Sequence, residues 1–330
     1  MSLITQDGAA PIPRPWPGEP LLAVVGPTAV GKTALGIELA LRLDGEVISA
    51  DSMQVYRGMD IGTAKATLEE RRGVPHHLLD VRDPDQPMTV AEYQGLAEEA
   101  IRDIHSRGRL PILVGGTGLY VRAVVDRFVF TPMESDPDLR ASLAEEAGRE
   151  GVPALHARLA QVDPEAAARI HPNDLRRIIR ALEVYHQTGQ PLSSLQQAEP
   201  RDPSSVLMIG LTMDRAALYR RIEERVDQQL RDGLVVEVRG LLERGYAPGV
   251  GPMVGLGYKE MSLYLRGEAT LDEATALLKR NTRRYAKRQF TWFRADPRIV
   301  WYTISQDSDV LAIVPKIVNQ VEGKWPWWSK

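Results

Sequence analysis

The stretch LLAVVGPTAVGKT, Leu21–Thr33, joins an apolar run to a glycine-rich turn that ends in a lysine and a threonine. The apolar run predicts a buried strand, and the following KTALGIELALRL predicts a helix. The spacing G-x-x-x-x-G-K-T between a strand and a helix is typical of a loop whose backbone N–H groups cradle phosphate. In such a loop Lys32 adds positive charge and Thr33 can hold Mg²⁺. The pattern indicates a phosphate-binding loop but does not identify the ligand, because kinases, ATPases and enzymes that release diphosphate can all carry it.

Further strand and helix patterns alternate along the chain. GEVISA predicts a strand that ends at Asp51, and LPILVGGTG predicts a strand that runs into a second glycine turn at residues 115–118. The amphipathic stretch TVAEYQGLAEEAIRDIHSRG predicts a helix between them. The alternation predicts an α/β fold: a P-loop NTPase-like parallel sheet flanked by helices. Ligands of such sheets bind at the carboxyl ends of the strands, where these motifs fall.

The segment from Thr131 onward changes character. Helix patterns follow one another, separated by Pro and Gly and with no clear strand, until VLMIGLTM returns to a strand pattern. An all-helical insertion in the α/β core is therefore expected. The predicted organisation has four parts: a flexible N-terminal tail at 1–20, the first part of the core at 21–130, the helical insertion at 131–203, and the second part of the core at 204–330.

Composition excludes several classes of protein. The 330 residues are 43% hydrophobic and 26% charged, as in soluble globular proteins, and no apolar run reaches the length of a membrane span. The start of the chain has neither the basic nor the apolar segment of a signal peptide, so a cytoplasmic location is expected. The absence of cysteine excludes disulfides and thiol nucleophiles. With a net charge of −3, binding of nucleic acid must depend on local basic clusters.

Asp51 follows the predicted strand GEVISA and has three interpretations. It can be an acid that organises Mg²⁺, or a general base. It can also cap the following turn through its side chain. The spacing alone does not separate the three.

The stretch LKRNTRRYAKRQF is the strongest basic cluster. Two adjacent rows at i, i+4 spacing make one helix face basic: Lys279, Arg283 and Lys287, with Arg280, Arg284 and Arg288. No acid occurs in the sequence between Glu273 and Asp296, so the pattern favours polyanion binding over an ordinary solvated face. The interleaved aromatic residues can stack on bases, although packing onto the core explains most of them.

Seven stretches occur in a characteristic order: GPTAVGKT, ISADSMQVYRGMDIGTAK, HHLLDV, VGGTGLY, RIHPNDLRRIIRALEV, GLGYKE and KRQFTWFR. Together they resemble the tRNA dimethylallyltransferases, also called tRNA isopentenyltransferases, over roughly Leu21–Trp301. The resemblance implies transfer of a dimethylallyl group from dimethylallyl diphosphate to N6 of adenosine 37, just 3′ of the anticodon in tRNA. It also implies that the helical insertion binds the anticodon stem-loop. We expect Mg²⁺ as cofactor, no membrane partner, and a monomer.

This resemblance assigns the phosphate loop to the departing diphosphate of the prenyl donor. An exocyclic adenine amine is a poor nucleophile, so the reaction needs a base for its proton and electrostatic help for the leaving group. Asp51 is expected to be the base. Lys32, Thr28 and an arginine of RRIEER are expected to stabilise the diphosphate. Arg221 is the first choice for that arginine, and Arg225 is the alternative.

The resemblance carries over further residues by their positions in the motifs. The donor-binding loop comprises Gly26, Pro27, Thr28, Ala29, Val30, Gly31, Lys32 and Thr33, with Thr33 as the metal ligand. The expected tRNA contacts are Asp51, Ser52, Met53, Gln54, Thr117, Arg140, Arg176, Arg177, Arg180, Gly257, Tyr258, Lys259, Lys287, Arg288, Gln289, Trp292 and Arg294. Two rival classes use the same loop: an ATP-binding kinase or NTPase, and a non-catalytic RNA-binding protein with a structural loop.

Overall fold

The structure is a computed structural model that describes residues 19–130, 135–195, 197–305 and 310–326. Its strands are β1 Leu21–Val25, β2 Gly45–Ala50, β3 His76–His77, β4 Leu110–Gly115, β5 Phe128–Val129, β6 Gln197–Ala198, β7 Val206–Met213 and β8 Ile299–Ile304. Most of the predicted N-terminal tail, residues 1–18, lies outside the described residues.

The helices account for most of the rest of the described chain. They are α1 Lys32–Leu43, α2 Leu68–Arg71, α3 Val90–Ser106, α4 Gly118–Asp126, α5 Pro137–Glu150, α6 Val152–Val162, α7 Pro164–Arg169, α8 Leu175–Thr188, α9 Leu192–Leu195, α10 Arg215–Arg231, α11 Leu234–Glu243, α12 Tyr258–Leu265, α13 Leu271–Arg294 and α14 Val314–Lys324. Two short 3-10 helices occupy Gly251–Val254 and Val310–Ile313. In the parts of the chain described, no helix is long and apolar enough to cross a membrane.

Six strands of the described chain form a parallel sheet in the order β3-β2-β4-β1-β7-β8. The central strand β1 is buried at every residue, which its continuous apolar sequence explains. Alternate residues of β1 enter different apolar clusters: Leu22 and Val24 pack with α1, α10 and α14, whereas Leu21, Ala23 and Val25 pack with α3 and α4. Helices therefore cover both faces, and the predicted α/β class is confirmed.

The edge strand β3 was absent from the sequence prediction. Its two histidines are too short a run to show strand periodicity, and they are held by pairing to β2. His77 also lies 2.7 Å from the buried carboxylate of Glu46, which Arg107 and Arg109 contact as well. The histidine pair is thus part of the sheet edge.

The last helices of the core bury a third apolar cluster. Its members come from the loop after β2 and from α10 to α13, and Val55, Met59, Leu234, Tyr258 and Met261 lie at its centre. The Trp-rich end of the chain packs against the core at its first residue. Trp325 is buried, and its indole N–H donates to the Ser204 carbonyl at 2.9 Å. Residues 327–330 lie outside the described part.

Backbone contacts divide the chain into two compact units, with residues 126–200 forming the second. Helices α5 to α9 build this unit around Leu143, Leu155, Leu159, Ile178 and Leu182. The prediction had placed the insertion at 131–203 with no strand. The structure instead closes the unit with an antiparallel ribbon of β5 and β6, which are too short to show a periodic pattern. We call residues 126–200 the helical unit.

Candidate active site

The glycine-rich turn after β1, which we call the phosphate loop, has two positions where the backbone conformation and the surrounding space admit only glycine. Gly26 has φ +144°, and a Cβ there would lie 2.6 Å from the Leu211 carbonyl oxygen. Gly31 has φ +104° and caps α1, and a Cβ there would lie 2.7 Å from Val310 Cγ2. These constraints hold the turn against the sheet and aim the first N–H groups of α1 outward, as an anion site requires.

Lys32 is the first residue of α1, directly after this turn. Its Nζ donates to the Pro27 carbonyl at 2.7 Å, which holds the ammonium over the loop. Burial, together with the positive charge of Arg225, lowers the pKa of Lys32 to about 7, and the negative charge of Asp51 opposes the change. Burial and Arg225 thus outweigh the attraction of Asp51, so an anion bound in the loop would favour the ammonium form of Lys32.

Of the two candidate arginines, the structure favours the alternative. Arg225 donates from Nη1 to Thr28 Oγ1 at 3.4 Å, a long contact that puts the guanidinium beside the loop. Arg221 lies one helical turn earlier on α10, and no contact joins it to the loop within the described residues. The role of Arg221 in binding diphosphate stays a prediction, and the contact with Thr28 favours Arg225, because both positions fit the sequence motif and only the tertiary structure separates them.

Gln289 connects α13 to two glycine turns. Its Oε1 accepts from the Thr28 backbone N–H at 2.8 Å, and its Nε2 donates to the Gly116 carbonyl at 2.8 Å. The side chain is buried. Both ends of the amide are used inside the protein, where they hold the phosphate loop, so the structure gives Gln289 a structural role and its predicted tRNA contact stays a prediction.

Asp51 lies at the carboxyl end of β2, and its side chain is half-buried. Its Oδ1 accepts from the backbone N–H groups of Met53 at 2.9 Å and Gln54 at 3.4 Å, which confirms the turn-capping interpretation. Among the described residues, both hydrogen bonds of the carboxylate go to this one oxygen, so capping leaves Oδ2 for other chemistry. Burial raises the pKa of Asp51, although the Met53 hydrogen bond and the charge of Lys32 act against it.

The ends of three strands converge here because β4 lies between β1 and β2 in the sheet. Thr117 follows β4, and its Oγ1 accepts from the Ser52 backbone N–H at 2.9 Å. Burial and the nearby Asp51 carboxylate raise the pKa of the Tyr285 hydroxyl to about 12, and the side chains of Thr117 and Gln289 act against that rise. The sequence analysis missed Tyr285 in this role. Its position one turn before Gln289 on α13 was the available signal.

A cleft of about 830 Å³ opens in front of the phosphate loop. Lys32, Thr33 and Arg225 line it on the loop side, and Thr33 is exposed. Its lining also includes Asp60 and Lys65 of the stretch DIGTAK. The lining also contains four acidic residues, Glu38, Asp60, Glu70 and Asp232. It is the part with Lys32, Arg225 and the exposed Thr33 hydroxyl that suits a phosphorylated ligand.

Part of the cleft wall is held by a half-buried hydrogen-bond network that the sequence did not predict. The Glu237 carboxylate accepts from the backbone N–H groups of residues 60–62 at 2.8–3.0 Å, and from the Tyr258 hydroxyl at 2.7 Å. Tyr258 is 1% exposed, so the structure gives no support to its predicted tRNA contact, which stays a prediction. Gly257 is likewise buried, whereas Lys259 is exposed and lies 3.6 Å from Glu260 Oε1.

The basic face of α13 is divided by its packing. Lys279 pairs with Asp227 at 2.6 Å, and Arg283 pairs with Glu223 at 2.5 Å, so acids of α10 neutralise two of the three residues of one predicted row. The argument from missing acids failed because they come from another helix. The exposed cations that remain on α13 are Arg280, Arg284, Lys287, Arg288 and Arg294. The exposed Trp292 lies on the same helix, against Gly118.

The helical unit gathers its own predicted residues. Arg140 and Arg180 both bind the buried carboxylate of Glu183, and Arg176 is exposed beside them. Arg177 points to Asp174, 3.2 Å away. Together with Leu175 and Ile179, the residues Arg140, Arg176 and Arg180 line a cleft of about 500 Å³.

A phosphate loop at the carboxyl edge of a parallel sheet, with a carboxylate and cationic groups beside it, defines a P-loop-like α/β protein. A model of the IPP transferase family matches residues 54–296. The chain therefore belongs to the IPP transferase family.

Relatives and solved structures agree with this assignment. The tRNA dimethylallyltransferase of Symbiobacterium thermophilum is 58% identical over 308 residues, which cover 93% of this chain and 96% of the relative. The structure of the full-length tRNA isopentenylpyrophosphate transferase from Bacillus halodurans matches with a TM-score of 0.70 and 51% identity, over 94% of this chain and 98% of that one. A eukaryotic dimethylallyltransferase captured acting on tRNA matches with a TM-score of 0.75 and 30% identity, over 92% and 77%. The resemblance found from the sequence is confirmed, and these relatives are enzymes of the predicted class.

Proposed function

We propose that this chain transfers the dimethylallyl group of dimethylallyl diphosphate to N6 of adenosine 37 in tRNA. The observation that carries the proposal is that Asp51 and the phosphate loop lie at the same edge of the sheet, after β2 and β1, where the charge of Asp51 acts on Lys32. A base and a diphosphate site close together are the two elements that prenylation of a weak amine needs. The relatives named as tRNA dimethylallyltransferases support the choice of substrates.

In the proposed reaction, N6 of adenine attacks the allylic carbon while its bond to the diphosphate oxygen breaks. The N6 proton passes to the Asp51 carboxylate, and the diphosphate leaves with the bonding electrons. Lys32, Arg225 and the first N–H groups of α1 stabilise the growing negative charge on the diphosphate. The target base must leave its stack to reach a half-buried carboxylate, as in other base-modifying enzymes.

Mg²⁺ is proposed at Thr33, whose exposed hydroxyl lines the cleft beside Lys32. In the described residues, no group of three or more acidic or histidine side chains is arranged to hold a metal. This fits a Mg²⁺ site in which diphosphate and water supply most of the ligands. The bound ion would neutralise charge on the leaving diphosphate.

The tRNA is proposed to contact exposed cations rather than the buried parts of the predicted set. On α13 these are Lys287, Arg288 and Arg294, with Trp292 as a surface on which a base can stack. Ser52, Met53 and Gln54 follow Asp51 and lie beside the proposed position of the target base. In the helical unit, the proposed contacts are the arginines at 140, 176, 177 and 180.

Analysis of the product tests this function directly. The protein is incubated with unmodified tRNA, Mg²⁺ and either dimethylallyl diphosphate or ATP, and the tRNA is then digested and its nucleosides are weighed. N6-dimethylallyladenosine at position 37, formed only with the prenyl donor, is the expected result. Hydrolysis of ATP or phosphoryl transfer in its place would identify a kinase or NTPase. Binding of tRNA without any product would identify an RNA-binding protein.

The division of the α13 face predicts how tRNA binding responds to salt. Arg284→Ala with Lys287→Ala removes two exposed charges, and we expect the log–log salt slope of binding to flatten by about one unit for each phosphate that the variant no longer binds. The matched pair, Lys279→Ala with Arg283→Ala, removes two charges that Asp227 and Glu223 already neutralise, so its slope should change little. Salt titrations of tRNA binding compare the two pairs. Equal flattening would contradict the division of the face, and an unchanged slope in both would mean that tRNA docks elsewhere.

A further inference from the structure

One carboxylate in the helical unit organises two arginines. The Glu183 side chain is fully buried. Its Oε1 accepts from Arg140 Nε at 2.8 Å and from the Asp136 backbone N–H at 3.0 Å. Its Oε2 accepts from Arg140 Nη2 at 2.9 Å and from Arg180 Nη1 at 2.6 Å. Arg140 is therefore held as a two-point fork, and Arg180 is held beside it by the same carboxylate.

This cluster stays charged and keeps one net positive charge. Burial alone would raise the pKa of Glu183, but the hydrogen bonds from Arg140, Asp136 and Arg180 lower it to about 2. Arg140 uses two of its guanidinium N–H directions on Glu183. Both arginine side chains remain 43% exposed, so each has further N–H groups that face solvent.

These outward groups line the 500 Å³ cleft together with Arg176, Leu175 and Ile179. We propose that Glu183 is a positioning residue that fixes Arg140 and Arg180 as the wall of a phosphate site, which takes a backbone phosphate of the tRNA. A guanidinium held before binding loses less side-chain freedom when it grips phosphate, and its planar fork matches the phosphate oxygens. The apolar Leu175 and Ile179 suit the sugar or base next to that phosphate. The inference rests on the proposed function, because it assumes tRNA as the ligand.

The variant Glu183→Gln distinguishes two explanations of tRNA binding at this cleft: arginines held in place by Glu183, or attraction by the net positive charge alone. Glu183→Gln removes a negative charge, so a cleft that works only by its net charge would bind tRNA more tightly and with a steeper salt slope. Positioning predicts weaker tRNA binding instead. The amide N–H₂ of glutamine would face the guanidinium donors, so Arg140 and Arg180 would no longer be held in place. We expect tRNA affinity to fall about tenfold, as when one arginine that binds phosphate is removed, with no steepening of the slope. Tighter binding would overturn the proposal.

Two control variants in the same unit identify the cause of any loss. Glu146→Gln removes a carboxylate that pairs with Arg158 outside the cleft, and it changes the net charge by the same amount. Leu159→Ala empties a fully buried core position that does not line the cleft. Both folded variants should bind tRNA as the wild type does. A loss in Leu159→Ala that equals the loss in Glu183→Gln would mean that Glu183 only stabilises the unit, and the proposal would fail.

A second test does not depend on Glu183→Gln folding. Arg180→Lys keeps the charge and removes the planar fork at a side chain that is 43% exposed, whereas Arg158→Lys makes the same change at an equally exposed position outside the cleft. We expect only Arg180→Lys to weaken tRNA binding, and equal affinities would overturn the proposal. Binding is measured without the prenyl donor. A wild type that binds tRNA but transfers no prenyl group would therefore refute the proposed function alone, and one that binds no tRNA would refute both.

Discussion

Asp51→Asn is expected to lower turnover by about 10²–10⁴-fold while tRNA binding stays within a few-fold of the wild type. The asparagine Oδ1 can still accept from the Met53 and Gln54 backbone N–H groups, so the turn after β2 should persist. What the variant loses is the carboxylate that can take the N6 proton. Single-turnover rates with saturating tRNA and donor measure the effect on the chemical step.

Two comparisons separate the roles of Asp51. Asp51→Ala removes the turn cap as well as the base, so an active Asn variant beside an inactive Ala variant would mean that the carboxylate only caps the turn. Partial recovery of the Asn variant in excess Mg²⁺ would indicate a metal acid. Near-normal turnover of both variants would remove Asp51 from the reaction. Because burial raises its pKa, turnover of the wild type should fall on acidification at a pH above the usual range of an aspartate.

Lys32→Ala is expected to weaken binding of dimethylallyl diphosphate and to slow the chemical step by about 10²–10³-fold. Charge on the diphosphate grows as the carbon–oxygen bond breaks, so a cation at this position interacts more strongly with the transition state than with the bound donor. Single-turnover kinetics give the chemical step, and titration with the donor gives the affinity. A variant that bound and used the donor normally would make the loop structural and refute the proposed mechanism.

The low pKa of Lys32 adds a pH dependence to this prediction. With a pKa of about 7 in the free protein, the side chain is mostly neutral at pH 8, and the negative diphosphate should raise that pKa by favouring the ammonium form. Donor binding above pH 7 should therefore take up a proton and weaken as the pH rises. Calorimetry in two buffers of different ionisation enthalpy detects the uptake, and Lys32→Ala should abolish it. Uptake that persists in the variant would assign the proton to another group.

Local sequence patterns were enough to predict the strands and helices that carry the candidate site. β1 and α1 have the predicted bounds because a continuous apolar run, two glycines and a helix-forming stretch act within a few residues of one another. Asp51 and Thr117 could be predicted to meet because parallel strands end at the same edge of a sheet. The family also followed from sequence alone, since its motifs are contiguous stretches of the chain.

The tertiary structure decided which side chains reach the site. Arg221 and Arg225 fit the motif equally, and the path of α10 brings Arg225 to Thr28. Gln289 and Tyr258 lie in motifs that suggested tRNA contacts, yet both are buried by helix packing. The acids that neutralise part of α13, Glu223 and Asp227, are more than fifty residues away in sequence. Periodicity within one segment records which residues share a face. It does not record what packs against that face, because burial and ion pairing depend on elements that meet only when the chain folds.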